Sequence, residues 1–139
     1  MMWHSIDPGV KYYAYAVWED RALVATGMAF TSALSKEGCP AIIEKPQVYR
    51  NSLVRQGDIV DLAISAGRIS AQYSHTSWVL PAAWKGQVPK AVHQRKIAKQ
   101  ISIDLSSWTK EELSHILDAI GLGLYAKEQG IYPWSITHD

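Results

Sequence analysis

Four residues stand out as candidates to hold a hard cation or move a proton: Asp7, Glu44, His115 and Asp118. Asp7 stands before a Pro8-Gly9 turn in "HSIDPGVKYYAYAV", between two apolar runs, and Glu44 closes the apolar run Ala41 to Ile43. Asp118 interrupts a stretch in which Ile116, Leu117, Ile120, Leu122 and Leu124 are apolar. A carboxylate in such surroundings is expensive unless it is paired. His115 precedes it by three residues, which on a helix brings both side chains to one face. Taken singly, Asp7 reads as a turn residue, Glu44 as half of an ion pair with Lys45, and His115 as a solvated helix residue. Brought together without a cation, carboxylates repel one another and lose hydration, so their convergence means a metal site or raised pKa values. Carboxylates suit hard divalent ions, whereas the single Cys39 and the scattered histidines make no zinc site.

Convergence depends on the elements that carry these residues. Trp3 to Asp7 and Tyr12 to Trp18 read as strands joined by the Pro-Gly turn. A polar turn at Glu19 to Arg21 leads into a third strand, completing an antiparallel meander over residues 3–30. "TSALSKEGCP" is a loop or a single helical turn, and Ala41 to Glu44 is a short buried strand between breakers. Residues 56–74 show helical spacing, with Asp58 at the favourable N-terminal end. "TSWVL" is a strand, "PAAWKGQVPK" a loop, and "PKAVHQRKIAKQIS" a basic helix with Pro89 in its first turn. In the last helix Thr109 and Glu112 form a capping box and Gly130 supplies the stop. Gly121 and Gly123 cost that helix about 1 kcal/mol each relative to Ala, which predicts close packing against the sheet. A meander followed by strand, helix, strand, helix, helix describes a mixed sheet covered by helices, an α/β layer fold. If the strand ending at Glu44 lies parallel to the first, Asp7 and Glu44 sit side by side at the carboxyl edge, where α/β sheets place their sites.

At 139 residues the chain fits one domain, spanning 1–139. One cysteine permits no internal disulfide, which suits a reducing compartment such as the cytosol. No apolar run approaches the ~20 residues of a membrane span, and no basic segment followed by a hydrophobic stretch opens the chain, so neither membrane insertion nor secretion is expected. Net charge is only +1, but no Asp or Glu occurs from Leu62 to Ile103, a run that holds Arg68, Lys85, Lys90, Arg95, Lys96 and Lys99. A basic face beside an acidic pocket is the layout of a protein that holds a polyanion near a cation site.

Five segments in order, "IDPGVKYYAYAV", "AIIEKPQVYR", "DLAISAGRISAQY", "WKGQVPKAVHQRKI" and "HILDAIGLGLYA", resemble the RuvC-type Holliday junction resolvases of the RNase H-like nuclease superfamily, particularly its short phage-type members. The resemblance implies an RNase H-like mixed five-stranded sheet, an antiparallel meander plus two parallel strands, flanked by helices. It implies that Asp7, Glu44, His115 and Asp118 bind two Mg2+ ions, with Mn2+ able to substitute, and hydrolyse a phosphodiester bond. His115 stands where many relatives have a second Asp. The basic segment then neutralises phosphates, through Lys85, Lys90, Arg95, Lys96 and Lys99, with Trp84 as a stacking group and Tyr49 and Arg50 near the cut. Trp78, inside a strand, reads as core. Resolving a four-way junction takes two symmetric nicks, so the resemblance implies a homodimer acting on branched DNA in the cytoplasm of a bacterium or phage-infected host. The small-residue helix from Asp58 to Tyr73 is part of the expected interface, with Arg68 turned to DNA or across the dimer. Rival readings are a related nuclease acting on other branched DNA or on RNA/DNA hybrids, and a junction-binding domain without catalysis.

Overall fold

Alternation along the first strand puts Trp3, Ser5 and Asp7 on one face and His4 and Ile6 on the other. The computed structural model of the chain describes residues 1–47, 56–86 and 90–131. Strand β1 (Met2–Asp7) pairs antiparallel with β2 (Tyr12–Glu19), and β2 antiparallel with β3 (Ala22–Phe30). A short 3-10 turn, Thr31–Ala33, leads toward β4 (Pro40–Glu44), which lies parallel to β1 and to β5 (His75–Val79). The sheet order is β3-β2-β1-β4-β5, so the expected meander and parallel pair are both present.

Helices α1 (Gln56–Ser70), α2 (Pro81–Lys85), α3 (Lys90–Lys99) and α4 (Lys110–Gln129) complete the described chain. Helix α1 ends at Ser70 rather than Ser74, because residues 71–74 turn toward β5 and Ser74 N–H bonds Cys39 C=O at 3.0 Å. The segment expected as loop after β5 holds the single turn of α2, started by Pro81. Pro89 lies outside the described residues. The capping box of α4 forms as its sequence predicts, and Gly130 ends the helix in the left-handed conformation at φ 66°.

One face of the sheet, with Trp3, Ala14, Ala16, Trp18 and Ile42, packs against α4 and takes in Trp84 and Ile97. The other, with Ile6, Tyr13, Ala41 and Ile43, packs on Ile69 and Tyr73 of the α1 region. Ser5 fixes the central helix to the central strand. Its hydroxyl donates to Ala119 C=O at 2.6 Å and accepts from the Trp18 indole N–H at 2.9 Å. The glycines of α4 have the expected packing reason: a Cβ on Gly123 would collide with the Trp18 ring, and one on Gly121 with Ile97 and Trp84. Overpacking costs about 1–3 kcal/mol, more than the ~1 kcal/mol of helix propensity gained from Ala. Gly123→Ala should therefore lower unfolding free energy in chemical denaturation, by up to about 2 kcal/mol on those figures; an unchanged or higher midpoint would contradict this packing. Among the described residues no helix is long and apolar enough to cross a membrane.

Candidate active site

The parallel pairing of β1 with β4 brings their carboxyl ends together, with Ile6 opposite Ile43, so Asp7 and Glu44 follow side by side. Helix α4 crosses the same face and adds His115 and Asp118. His115 Nδ1 lies 2.9 Å from Asp7 Oδ2, a hydrogen bond in which the imidazole N–H donates. Asp118 is 4% exposed, and its Oδ2 is 3.4 Å from Lys90 Nζ and 3.9 Å from Lys85 Nζ. Lys85 Nζ also reaches Glu44 Oε2 at 3.1 Å. The four residues singled out from sequence thus form one cluster, with two lysines of the basic region interleaved.

Three further residues fix this cluster. Trp84, expected to stack on DNA, is instead buried at 7% exposure, and its indole N–H donates to Glu44 Oε2 at 3.0 Å. Its ring also faces Lys85 Nζ at 5.0 Å, so it orients both members of that ion pair. Gln94 on α3 donates to Asp118 Oδ1 at 3.4 Å and to the Ser114 hydroxyl at 3.1 Å, tying α3 to α4 beside the carboxylate. No motif marks Gln94 or Ser114 in the sequence; only the meeting of two helices does. Trp78, read as core, is 43% exposed, because its position alternates with the buried Ser77 and Val79 of β5.

Other expected DNA contacts lie apart from the cluster. Arg95, Lys96 and Lys99 are exposed on α3, the helix that carries Gln94 and Lys90. Arg68 is exposed in the last turn of α1, on the opposite side of the sheet from α4. Tyr49 and Arg50 lie outside the described residues.

Burial pushes the Asp7 carboxyl above its ordinary value, against the lowering effect of the His115 hydrogen bond. Burial likewise raises Glu44, with Lys85 opposing. His115 is raised by its hydrogen bond to Asp7. For Lys85 burial acts downward, and Glu44 and Asp118 more than offset it, so its ammonium is retained. Asp7, Glu44 and His115 each hold their proton more tightly folded than unfolded. The stability they contribute is therefore present below their unfolded pKa values and lost as pH rises through the folded ones. That window runs from the ordinary carboxylate range, about 4, to above the ordinary imidazole value of about 6.5. The metal-free protein should melt at a lower temperature at about pH 8 than at about pH 5.5, and Mg2+ should recover the difference by binding the ionised carboxylates. A melting temperature that is flat with pH in EDTA, or insensitive to Mg2+ at the higher pH, would contradict this electrostatic account.

Among the described residues no three His, Cys, Asp or Glu side chains are already gathered at metal-ligating distance. The donor chemistry nevertheless fits a hard divalent ion: three carboxylates and an imidazole converge, two of the carboxyls are raised by burial, and the ammonium groups drawn to Glu44 and Asp118 mark a place that calls for positive charge.

A meander plus two parallel strands, crossed on one face by a long helix that brings its polar residues to the carboxyl edge, defines an RNase H-like fold. Solved structures similar to it include ones that carry the RuvC version of that fold. Thermus thermophilus RuvC in complex with a Holliday junction substrate superposes with a TM-score of 0.65, at 13% identity, over 94% of this chain and 98% of that one. A second Thermus thermophilus RuvC structure gives a TM-score of 0.57 at 14% identity, with the same coverage of both chains. No protein-family model matches the sequence, and no curated protein matches it.

Proposed function

We propose that this chain is a structure-specific endodeoxyribonuclease that resolves four-way DNA junctions by paired, symmetric nicks, using two divalent metal ions. The observation that carries the reading is the convergence of Asp7, Glu44, His115 and Asp118 on one edge of a RuvC-like fold. Bound there, Mg2+ or Mn2+ would lower the pKa of an attacking water and stabilise charge on the phosphate. The chain's own residues do the positioning. Asp7, Glu44 and Asp118 would supply oxygen ligands, with His115 holding Asp7 through its imidazole and able to complete the donor set. Trp84 and Gln94 restrain two of the carboxylates by N–H donation, and such outer contacts commonly matter about 10- to 100-fold in metal affinity or activity. Lys85 and Lys90 balance the carboxylates when no divalent ion is bound, and stand close enough to neutralise a phosphate delivered to the site. The test is cleavage of a synthetic four-way junction against a linear duplex of the same sequence, in Mg2+ and in EDTA. Mg2+-dependent cutting of the junction alone is expected; cutting of the duplex alone moves the protein to a nuclease of other specificity.

Two nicks placed symmetrically call for two active sites related by a dyad. Helix α1 offers the surface: Val60 and Ile64 are 57% and 56% exposed, and the exposed Ala63 and Gly67 complete one stripe of apolar and small residues. Among the described residues nothing lies within 4 Å of where a Gly67 Cβ would point, so another backbone can approach closely there. Ile64→Arg should convert a dimer to a monomer in sedimentation velocity while leaving the fold intact. A dimer unaffected by Ile64→Arg places the interface elsewhere, and a monomeric wild type removes the dyad from the mechanism.

A further inference from the structure

We infer that the cavity beside Asp7 and His115 receives a nucleobase turned out of the strand next to the scissile phosphate, and that it selects cytosine or adenine, through their exocyclic amines, over thymine. The inference rests on the nuclease reading above and names what the site would recognise. The cavity, about 620 Å³, opens between the β2–β3 end of the sheet and the first turns of α4, with Asp7 and His115 among its lining residues. That volume is in the range of small-molecule sites, about 300–1,000 Å³.

Its lining matches a base better than a phosphate. Tyr12 and Phe30 are opposite each other across the β2–β3 ladder, with ring centroids 4.9 Å apart, and they remain 49% and 56% exposed. Trp108, just before α4, also lines the cavity. Half-exposed aromatic rings of this kind are the platforms on which unstacked bases lie. Glu111 and Glu112 line it as well. Two carboxylates repel a phosphate, whereas a carboxylate accepts a hydrogen bond from the amine of cytosine or adenine. Glu112 Oε1 is engaged by the Thr109 backbone N–H at 2.9 Å, so Glu111 is the acceptor available to a base. Lys11, on the same lining, is suited to the phosphate of the extruded nucleotide. A base inside this cavity sets its own 3′ or 5′ phosphate beside Asp7, which couples recognition to the cut. Unpairing is cheapest where a strand already departs from the duplex, as at a junction.

The test is a fluorescence titration of the full chain, in EDTA to prevent cleavage, with four-way junctions carrying 2-aminopurine at single positions around the mapped cut. Emission should change on binding only for the nucleotide flanking the cut. Phe30→Ala and Tyr12→Ala should each remove most of that change and weaken junction binding about tenfold, the scale of one lost base-stacking contact. A change that persists undiminished in both variants overturns the pocket. Glu111→Ala alters no buried packing, removes the acceptor outright and so tests the amine preference. Wild type should cut junctions with C or A at the flanking position faster than those with T, and the variant should lose that discrimination; equal discrimination in both overturns Glu111 as the reader. A labelled single strand separates this inference from the reading it rests on. A protein that leaves junctions uncut yet perturbs the single strand through Phe30 keeps the pocket and loses the junction reading. One that cuts junctions with Phe30-independent emission keeps the junction reading and loses the pocket.

Discussion

Asp7→Asn should abolish junction cleavage in Mg2+ while leaving junction binding within a few-fold of wild type. A metal-held water and phosphate are worth several kcal/mol in the transition state, so the loss should be on the order of 10³-fold or more in rate. The amide keeps the shape of the side chain and an oxygen that can still accept from His115, now 2.9 Å away. It removes a charge whose burial is unfavourable, as the raised Asp7 pKa shows. The metal-free variant should therefore melt at or above the wild-type temperature near pH 8. Lost cleavage with retained stability separates a catalytic role from a folding one. Full cleavage in Asp7→Asn would remove the residue from the chemistry, and a strongly lowered melting temperature would mean that its charge serves the fold instead.

Asp118→Asn should abolish cleavage to a similar degree but with the opposite effect on stability. Asp118 is 4% exposed and lies between two ammonium groups, with Lys90 at 3.4 Å and Lys85 at 3.9 Å, so neutralising it strips both lysines of a partner. Lys90 is well exposed and Lys85 partly so, and solvent screening limits the loss to about 1 kcal/mol or less. Gln94 can still donate to the remaining amide oxygen, which should keep α3 and α4 in register. The paired result, two inactive variants whose stabilities move in opposite directions, would be difficult to obtain from general damage to the fold. Equal destabilisation of both by several kcal/mol would contradict the charge arrangement described above.

The strand order and the cluster were legible in the sequence because each rests on a local signal with a strong physical cause. The Pro8-Gly9 turn, the short run ending at Glu44 and the Thr109 capping box each fix one element, and the parallel pairing of β1 with β4, which the sequence left as a condition, is what the structure supplies. Asp118 was legible because a carboxylate among apolar neighbours needs a reason. The two tryptophans were not. Trp78 lies in a strand and reads as core, yet pleat alternation turns it outward at 43% exposure, while Trp84 lies in what reads as a loop and is buried against α4 and α3. Both depend on which face of the sheet a helix covers, a tertiary fact that periodicity over five residues cannot fix. The same limit hid Gln94 and the aromatic cavity at Tyr12 and Phe30, each of which exists only where two elements separated in sequence come together.

The measurement that bears most directly on the central claim is strand-by-strand mapping of the products from a four-way junction, each strand labelled in turn at its 5′ end, after reaction in Mg2+. The proposed reading predicts one nick in each of two opposite strands, symmetric about the crossover, religatable without further processing and absent in EDTA. Nicks confined to one strand, cuts distributed along linear arms, or cleavage only of an RNA strand in a hybrid would contradict it.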